Sequence, residues 1–213
     1  MSPLRRMLAV LLLPLALAAC ANNAADAPWS SEADVAAARY EAGPPTYLKL
    51  ITVVNNLSGA GDHAGVIINA SQRVIYDPAG SFRHPQLPQR NDVIFGFTES
   101  AQEVYTNFHV RESHHMVTQR LIVPPEVAER ALQAALAEPK ARPGQCASKT
   151  AAILIAAGVD APRTLWPRTQ MEAFASLPGV EIEWHIEPGI VPGRLGLDRT
   201  PQFSQFTPQV ARN

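Results

Sequence analysis

Two apolar runs separated by three residues constrain the fold of this chain more than any other feature. The runs from His63 to Asn69 and from Arg73 to Tyr76 are rich in β-branched residues, which favour strands. The link from Ala70 to Gln72 is too short for a crossover, so the two strands must be antiparallel. A third such run, Tyr47 to Asn55, predicts a strand before the hairpin. The chain is therefore expected to be built on an antiparallel sheet.

Helical patterns and one further strand follow the hairpin. The run from His115 to Val123 alternates in a way that predicts a strand, and Gly158 is the expected cap at the end of a helix. No firm periodicity is found from Glu187 onward. Helices are predicted over residues 99–110, 125–137, 146–157 and 168–176. Together these elements predict an α+β fold.

The first residues of the chain have the composition of a cleaved secretion signal. Arg5 and Arg6 precede an apolar run of 11 residues from Met7 to Leu17. A helix that spans a bilayer needs roughly 20 apolar residues, so this run is too short to be one. The charged start, short apolar middle and small-residue end predict a signal peptide over residues 1–19.

The end of the predicted signal, Leu17-Ala18-Ala19-Cys20, resembles the lipobox of bacterial lipoproteins. This resemblance implies cleavage before Cys20. It also implies that Cys20 carries lipid, including a palmitate-type acyl group. Several acyl chains would anchor the protein firmly, so the implied partner is a membrane. Ala21, which is not an aspartate, implies the outer membrane on the periplasmic side by Gram-negative sorting rules. The alternative is an ordinary signal cut after Ala19 or Ala21, with Cys20 unmodified.

The remaining sequence divides into three parts. Residues 20–45 predict a lipidated tether with room for a short helix from Ser31 to Ala42, where Ser31 to Asp34 resembles a capping box. Residues 46–186 are the expected domain, and residues 187–213 form a tail. Outside the signal, which holds 2 of the 18 basic residues, 16 basic residues face 19 acidic ones. This balance argues against a nucleic-acid partner.

The two cysteines of the chain, Cys20 and Cys146, have different expected fates. If Cys20 carries lipid, Cys146 is the one free thiol of a protein exported to an oxidising compartment, where cysteines are usually paired or absent. Cys146 also begins a predicted helix after Pro143-Gly144, and the N–H groups of a helix start lower a thiol pKa. Cys146 is therefore a candidate nucleophile, and the alternative is a buried, inert thiol.

His63 and Asp77 can supply the other groups that a thiol nucleophile needs. An imidazole takes the proton of the thiol, and a third polar group fixes the tautomer of that imidazole. If the hairpin turn is centred on Ala70, His63 faces Asp77 at about 5 Å. A centre between Ala70 and Ser71 pairs residue 63 with residue 78 instead and places Asp77 on the opposite face.

The third polar position has alternatives. Asp77 precedes Pro78-Ala79-Gly80, so its side chain can equally serve only to close a turn. His84 is a second candidate for the same position, whereas His109 and His185 are expected on the surface or in loops.

The adjacent pair His114-His115 resembles a pair of metal ligands. Side chains of neighbouring strand residues point to opposite faces of a sheet, however, and no nearby acid or cysteine completes a zinc site. Neither a metal nor a cofactor is expected.

The order histidine, acid, then cysteine at a helix start resembles the circularly permuted branch of the NlpC-type papain-like hydrolases, which includes relatives of lecithin:retinol acyltransferase. His63-Ala64-Gly65 matches the histidine element of that family, Asp77 the second polar position and Cys146 the cysteine, within residues 47–158. Two positions depart from the pattern. Gln145 stands where the family usually has Asn or Asp, and the acyltransferase relatives carry a second histidine in place of Asp77.

The resemblance implies a papain-like fold and a thiol hydrolase or acyltransferase that acts on an amide or ester. Cys146 would be the nucleophile, His63 the general base and Asp77 the group that orients it. A cell-wall peptide (peptidoglycan), a lipid or a protein acyl group would be the substrate. The alternative is a non-catalytic envelope lipoprotein that uses the same fold as a binding or structural module.

Overall fold

A computed structural model describes residues 29–190 of the chain. The predicted signal peptide, Cys20 and the tail from residue 191 lie outside the described residues. Within residues 29–190 the fold is α+β, with helices packed on a seven-stranded antiparallel sheet. No helix in this range is both long enough and apolar enough to cross a membrane.

The sheet has the strand order β4-β5-β3-β2-β1-β6-β7, and each neighbouring pair is antiparallel. Its strands are β1 Tyr47–Asn55, β2 Gly61–Asn69, β3 Arg73–Tyr76, β4 Gln89–Arg90, β5 Val93–Ile94, β6 His114–Ile122 and β7 Glu181–His185. The helices are α1 Glu32–Ala37, α2 Glu99–His109, α3 Pro125–Ala137, α4 Cys146–Ala157 and α5 Pro167–Ala175.

Helices cover both faces of the sheet. Val66 and Ile68 of β2 point to the face that α3, α4 and α5 cover with mostly aliphatic side chains. Ile67 points to the other face, where α2 contributes Tyr105 to an aromatic-rich core. Because side chains alternate along a strand, His63 belongs to the same face as Ile67. The site described below lies at the end of β2 that carries His63.

The segments with the strongest sequence patterns form the secondary structure that was predicted for them. Strands β1 and β3 and helices α3 and α4 have the predicted bounds, and Gly158 caps α4 with a φ of +90°. Strands β4, β5 and β7 were not predicted. Strands β4 and β5 have only two residues each, too few to show a period, and β7 is a partly exposed edge strand with no run of apolar residues.

The described part of the predicted tether is attached to the domain. The Ser30 N–H donates to the Gln89 carbonyl oxygen at 3.2 Å, and the Tyr40 carbonyl oxygen accepts the Arg73 N–H at 2.7 Å. Ser31 forms the expected capping box with Asp34, but the helix ends at Ala37, earlier than predicted. The folded unit thus begins well before residue 46.

Candidate active site

The hairpin register differs from both predicted alternatives. Val66 pairs with Tyr76 and Asn69 with Arg73, so the turn is centred on Ser71. Extending this register places Asp77 beside Gly65, two positions from His63, and the expectation that residue 63 faces residue 77 was wrong. A displacement of two residues keeps Asp77 on the same face of the sheet as His63.

The imidazole of His63 reaches Asp77 diagonally across the hairpin. His63 Nε2 lies 2.6 Å from Asp77 Oδ1. A Cβ at Gly65 would lie 3.0 Å from the Tyr76 carbonyl oxygen and 3.6 Å from Asp77 Oδ1. A side chain at Gly65 would therefore be tight against the backbone of β3, next to the contact between the histidine and the acid.

Asp77 is fully buried and held from several directions. The Tyr105 hydroxyl donates to Asp77 Oδ1 at 2.8 Å, and the Asp77 N–H donates to the Asp92 carbonyl oxygen at 2.8 Å. A Cβ at Gly80 would lie 1.9 Å from Asp77 Oδ2, so this position must remain glycine. Although the backbone of Asp77 does form a turn, accepting the Gly80 N–H, its side chain binds His63.

Cys146 lies at the first position of α4 and has an unpaired, buried thiol. No side chain caps this helix start. The sulfur accepts hydrogen bonds from the backbone N–H groups of Ala64 and Ala147 and interacts with the imidazole of His63. The hairpin and the cysteine helix thus meet, as the sequence predicted.

The imidazole of His63 lies between the acid and the thiol. Because Nε2 is occupied by Asp77, Nδ1 is the ring nitrogen left for Cys146. Burial alone would lower the pKa of His63, but the charge and hydrogen bond of Asp77, aided by Cys146, raise it to about 10. The imidazole is therefore protonated at neutral pH.

The pKa values of Cys146 and Asp77 are both lowered, which favours the charged forms of these groups. Burial alone would raise the pKa of the Cys146 thiol, but the hydrogen bond and positive charge of His63 lower it below its ordinary value. Burial likewise opposes ionisation of Asp77, and the charge of His63 together with the hydrogen bonds of His63 and Tyr105 lowers the pKa of that carboxyl. The geometry favours a thiolate, an imidazolium and a carboxylate.

His109 is part of this site, contrary to the expectation of a surface or loop position. It is buried at the end of α2, and its ring is parallel to that of His63 at a centroid distance of 5.9 Å. His109 Nδ1 lies 2.9 Å from the Tyr105 carbonyl oxygen, which can only accept a hydrogen bond, so this nitrogen carries the proton. Burial lowers the pKa of His109, which leaves the ring neutral.

The remaining histidines lie elsewhere. His84 Nδ1 accepts the Gln86 N–H at 3.3 Å within its own loop, so Asp77 fills the third polar position. His185 belongs to β7 and not to a loop.

The neighbours His114 and His115 bind different partners. His114 Nε2 lies 2.9 Å from Asp62 Oδ2, and His115 Nδ1 lies 2.6 Å from Asn56 Oδ1. Across residues 29–190 no group of three or more histidine, cysteine or acidic side chains is arranged to hold a metal ion.

A cleft of about 340 Å³ opens beside His63. Its walls carry both charged and aromatic groups. Its lining comprises Val53, Asp62, His63, Ala79, Gly80, Ser81, Phe108, His109, Arg111, Ser113 and His114. Cys146 is not among these residues, so the cleft borders the imidazole and not the sulfur. A group bound there would lie against the ring of His63.

The structure brings together the three residues that the sequence suggests, Cys146, His63 and Asp77. The sequence suggests neither Tyr105 nor His109 for this site. The spacing of four residues that puts Tyr105 and His109 on one face of α2 is visible in the sequence, although nothing there connects that face with Asp77. Comparison of the chain with protein-family models, with curated proteins and with solved structures gave no match. The chemical interpretation rests on the geometry of these residues.

Proposed function

We propose that this protein is a thiol hydrolase or acyltransferase that acts on an amide or ester. The observation that carries the proposal is a single imidazole that contacts a buried carboxylate at 2.6 Å and a cysteine at a helix N-terminus. Those contacts lower the pKa of the thiol and raise that of the imidazole. An ionised sulfur beside a proton donor is what acyl transfer through a thioester requires.

In the acylation step, the Cys146 thiolate attacks the carbonyl carbon, and the electron pair of the carbonyl moves onto its oxygen. We expect backbone N–H groups at the start of α4 to bind this oxyanion. When the intermediate collapses, the bond to the leaving amine or alcohol breaks, and His63 gives that group its proton. The products are an acyl thioester on Cys146 and a neutral His63.

In the second step, neutral His63 takes a proton from water or from an acceptor alcohol or amine. The acceptor attacks the thioester, and the Cys146 thiolate leaves. The imidazolium and thiolate are then restored. Asp77 orients the imidazole and stabilises its charged form throughout, and Tyr105 holds Asp77.

The proposed architecture is papain-like, of the permuted NlpC type. Three features support it: the order of histidine, acid and cysteine along the chain, the cysteine at the start of a helix, and the packing of that helix on an antiparallel sheet. Gln145 and Asp77 remain the departures from the family pattern that the sequence displays.

We also propose that the enzyme acts at the cell envelope, held at the membrane by lipid on Cys20. The support is the lipobox-like sequence before that residue. Cell-wall peptides, lipids and acylated proteins are the amides and esters present there. Mass spectrometry of the membrane fraction should find an acylated N-terminal Cys20, and an unmodified N-terminus at Ala21 or beyond would contradict this part.

An activated ester such as p-nitrophenyl acetate tests the chemistry without knowledge of the substrate. We expect a burst of p-nitrophenol and an acetyl group on Cys146, located by peptide mass spectrometry. Cys146→Ala should abolish both signals and His63→Ala should slow the burst, whereas His84→Gln, a control in a nearby loop, should leave the burst unchanged.

Acetylation that avoids Cys146, or that proceeds equally fast in His63→Ala, would contradict the proposal. Such a result would favour the alternative of a binding module that has the fold without turnover.

A further inference from the structure

Asp92 connects two segments that are distant in the sequence and that carry different parts of the site. It directly precedes β5, whose residue Val93 pairs with Tyr76, and this pairing places Asp92 beside Asp77. Asp92 is almost fully buried, with 2% of its surface exposed, although it carries a carboxyl group. A buried carboxylate is costly unless its hydrogen bonds are satisfied, so its contacts indicate what it does.

The first set of contacts holds the acid of the site. The Asp92 carbonyl oxygen accepts the Asp77 N–H at 2.8 Å. Its carboxylate also interacts with the Ala79 N–H, which lowers the pKa of that carboxyl. Ala79 has a φ of +57° and Asp92 a φ of +65°, which is unusual for residues other than glycine. The hydrogen bonds that Asp92 makes to Asp77 and Ala141 help to hold it in this conformation.

The second contact holds the segment that leads to the nucleophile. Asp92 Oδ2 accepts the Ala141 N–H at 2.6 Å. From Ala141 the chain reaches Cys146 through a closed turn, in which the Arg142 N–H donates to Gln145 Oε1 at 2.8 Å and the Gln145 N–H donates to the Arg142 carbonyl oxygen at 3.1 Å. A displacement of Ala141 would therefore also displace the start of α4.

We propose that Asp92 is a positioning residue that joins the loop after Asp77 to the loop before Cys146. One carboxylate binds N–H groups of both loops and so sets the distance between the sulfur and the imidazole that Asp77 orients. Asp92 contacts neither the sulfur nor the imidazole, so its effect passes through the backbone. This inference rests on the proposed thiol chemistry.

The test compares full-length Asp92→Asn with Asp160→Asn, the same chemical change at an exposed residue. The measurement is the rate of Cys146 alkylation by iodoacetamide as a function of pH. An amide keeps one acceptor oxygen and cannot serve both loops, so we expect the midpoint of the Asp92→Asn profile to move up. At pH 6.5 its rate should fall about tenfold, which corresponds to one pH unit in thiol ionisation. Asp160→Asn should match the wild type.

A purely structural role would lower the folded fraction and leave the midpoint for folded protein unchanged. A folded Asp92→Asn protein with a wild-type midpoint would therefore overturn the inference. A wild-type thiol that is itself unreactive at pH 6.5 would instead defeat the proposed function, so the two failures are distinguishable.

A measurement on the wild type remains decisive if Asp92→Asn does not fold. Burial raises the pKa of Asp92, so its carboxylate should gain a proton above the ordinary pH for aspartate. The amide proton shifts of Ala79 and Ala141 should then move together with one midpoint as the pH falls. Separate midpoints, or no movement at either amide, would overturn the inference.

Discussion

Two histidines with little exposed surface lie at the same end of the sheet and differ in charge. His63 on β2 pairs with Val53 of β1, and His115 on β6 pairs with Val54, the next residue. The pKa of His63 is raised to about 10, whereas burial lowers the pKa of His115 to about 4. One ring is thus charged at neutral pH and the other is neutral.

The hydrogen-bond partner accounts for this difference. Each ring has an oxygen at 2.6 Å, which belongs to the carboxylate of Asp77 for His63 and to the amide of Asn56 for His115. Burial disfavours the charged form of both rings, and only a negative partner reverses that effect. The thiol of Cys146 supports the same charge on His63. The comparison teaches that the acid, and not the buried position, makes His63 an imidazolium.

Asp77→Asn should remove the difference between the two histidines, because it gives His63 an amide partner like that of His115. Without the negative charge, burial should bring the pKa of His63 below its ordinary value of about 6.5. The thiolate then loses its imidazolium, and alkylation of Cys146 at pH 7 should slow by about tenfold or more. Histidine NMR titration and iodoacetamide kinetics measure the two effects. A His63 pKa that stays near 10 in this variant would contradict the account.

Asn56→Asp is the opposite change, because it gives His115 a carboxylate partner like that of His63. A carboxylate at 2.6 Å typically raises the pKa of a histidine by about one to three units, so that of His115 should rise from about 4 towards its ordinary value. Cys146 alkylation should be unchanged, because His115 does not contact the thiol. NMR titration of His115 is the readout. A folded variant in which His115 still titrates near pH 4 would argue that the partner charge is not decisive.

Tyr105→Phe should have the smallest effect. The change removes the hydroxyl that donates to Asp77 Oδ1 at 2.8 Å and keeps the ring that packs against His109. A hydrogen bond to a charged group contributes about 1.5–3 kcal/mol, part of which water in the vacated space restores. We expect the pKa of Asp77 to rise, that of His63 to fall slightly, and alkylation at pH 7 to slow severalfold.

Val104→Ala, on an exposed part of the same helix, is the control for the helix itself. If Tyr105→Phe slowed alkylation as much as Asp77→Asn does, the tyrosine would have a larger role than holding the acid.

The sequence could predict the elements with strong periodicity and three residues that the structure brings together at the candidate site. Strand β1 and helix α4 are marked by long apolar runs, and Cys146 stands out as the one cysteine beyond the lipobox-like sequence that ends at Cys20. The hairpin register could not be predicted, because Ala70-Ser71-Gln72 lacks the glycine or asparagine that fixes a turn type.

The supporting residues could not be predicted for a different reason. Tyr105, His109 and Asp92 act on residues that are distant in the chain, so their roles exist only after the sheet and helices pack together. The expectation that His109 lies on the surface or in a loop was wrong, because the face of α2 that carries Tyr105 and His109 is buried.

The pH dependence of Cys146 alkylation tests the central claim, a thiolate held by the imidazolium of His63. Because the pKa of the thiol is lowered and that of His63 is about 10, the rate should reach a plateau below about pH 8 and hold it towards pH 10. His63→Ala should move the midpoint towards the ordinary thiol value of about 8.5. A wild-type profile with an ordinary midpoint, unchanged in His63→Ala, would contradict the account.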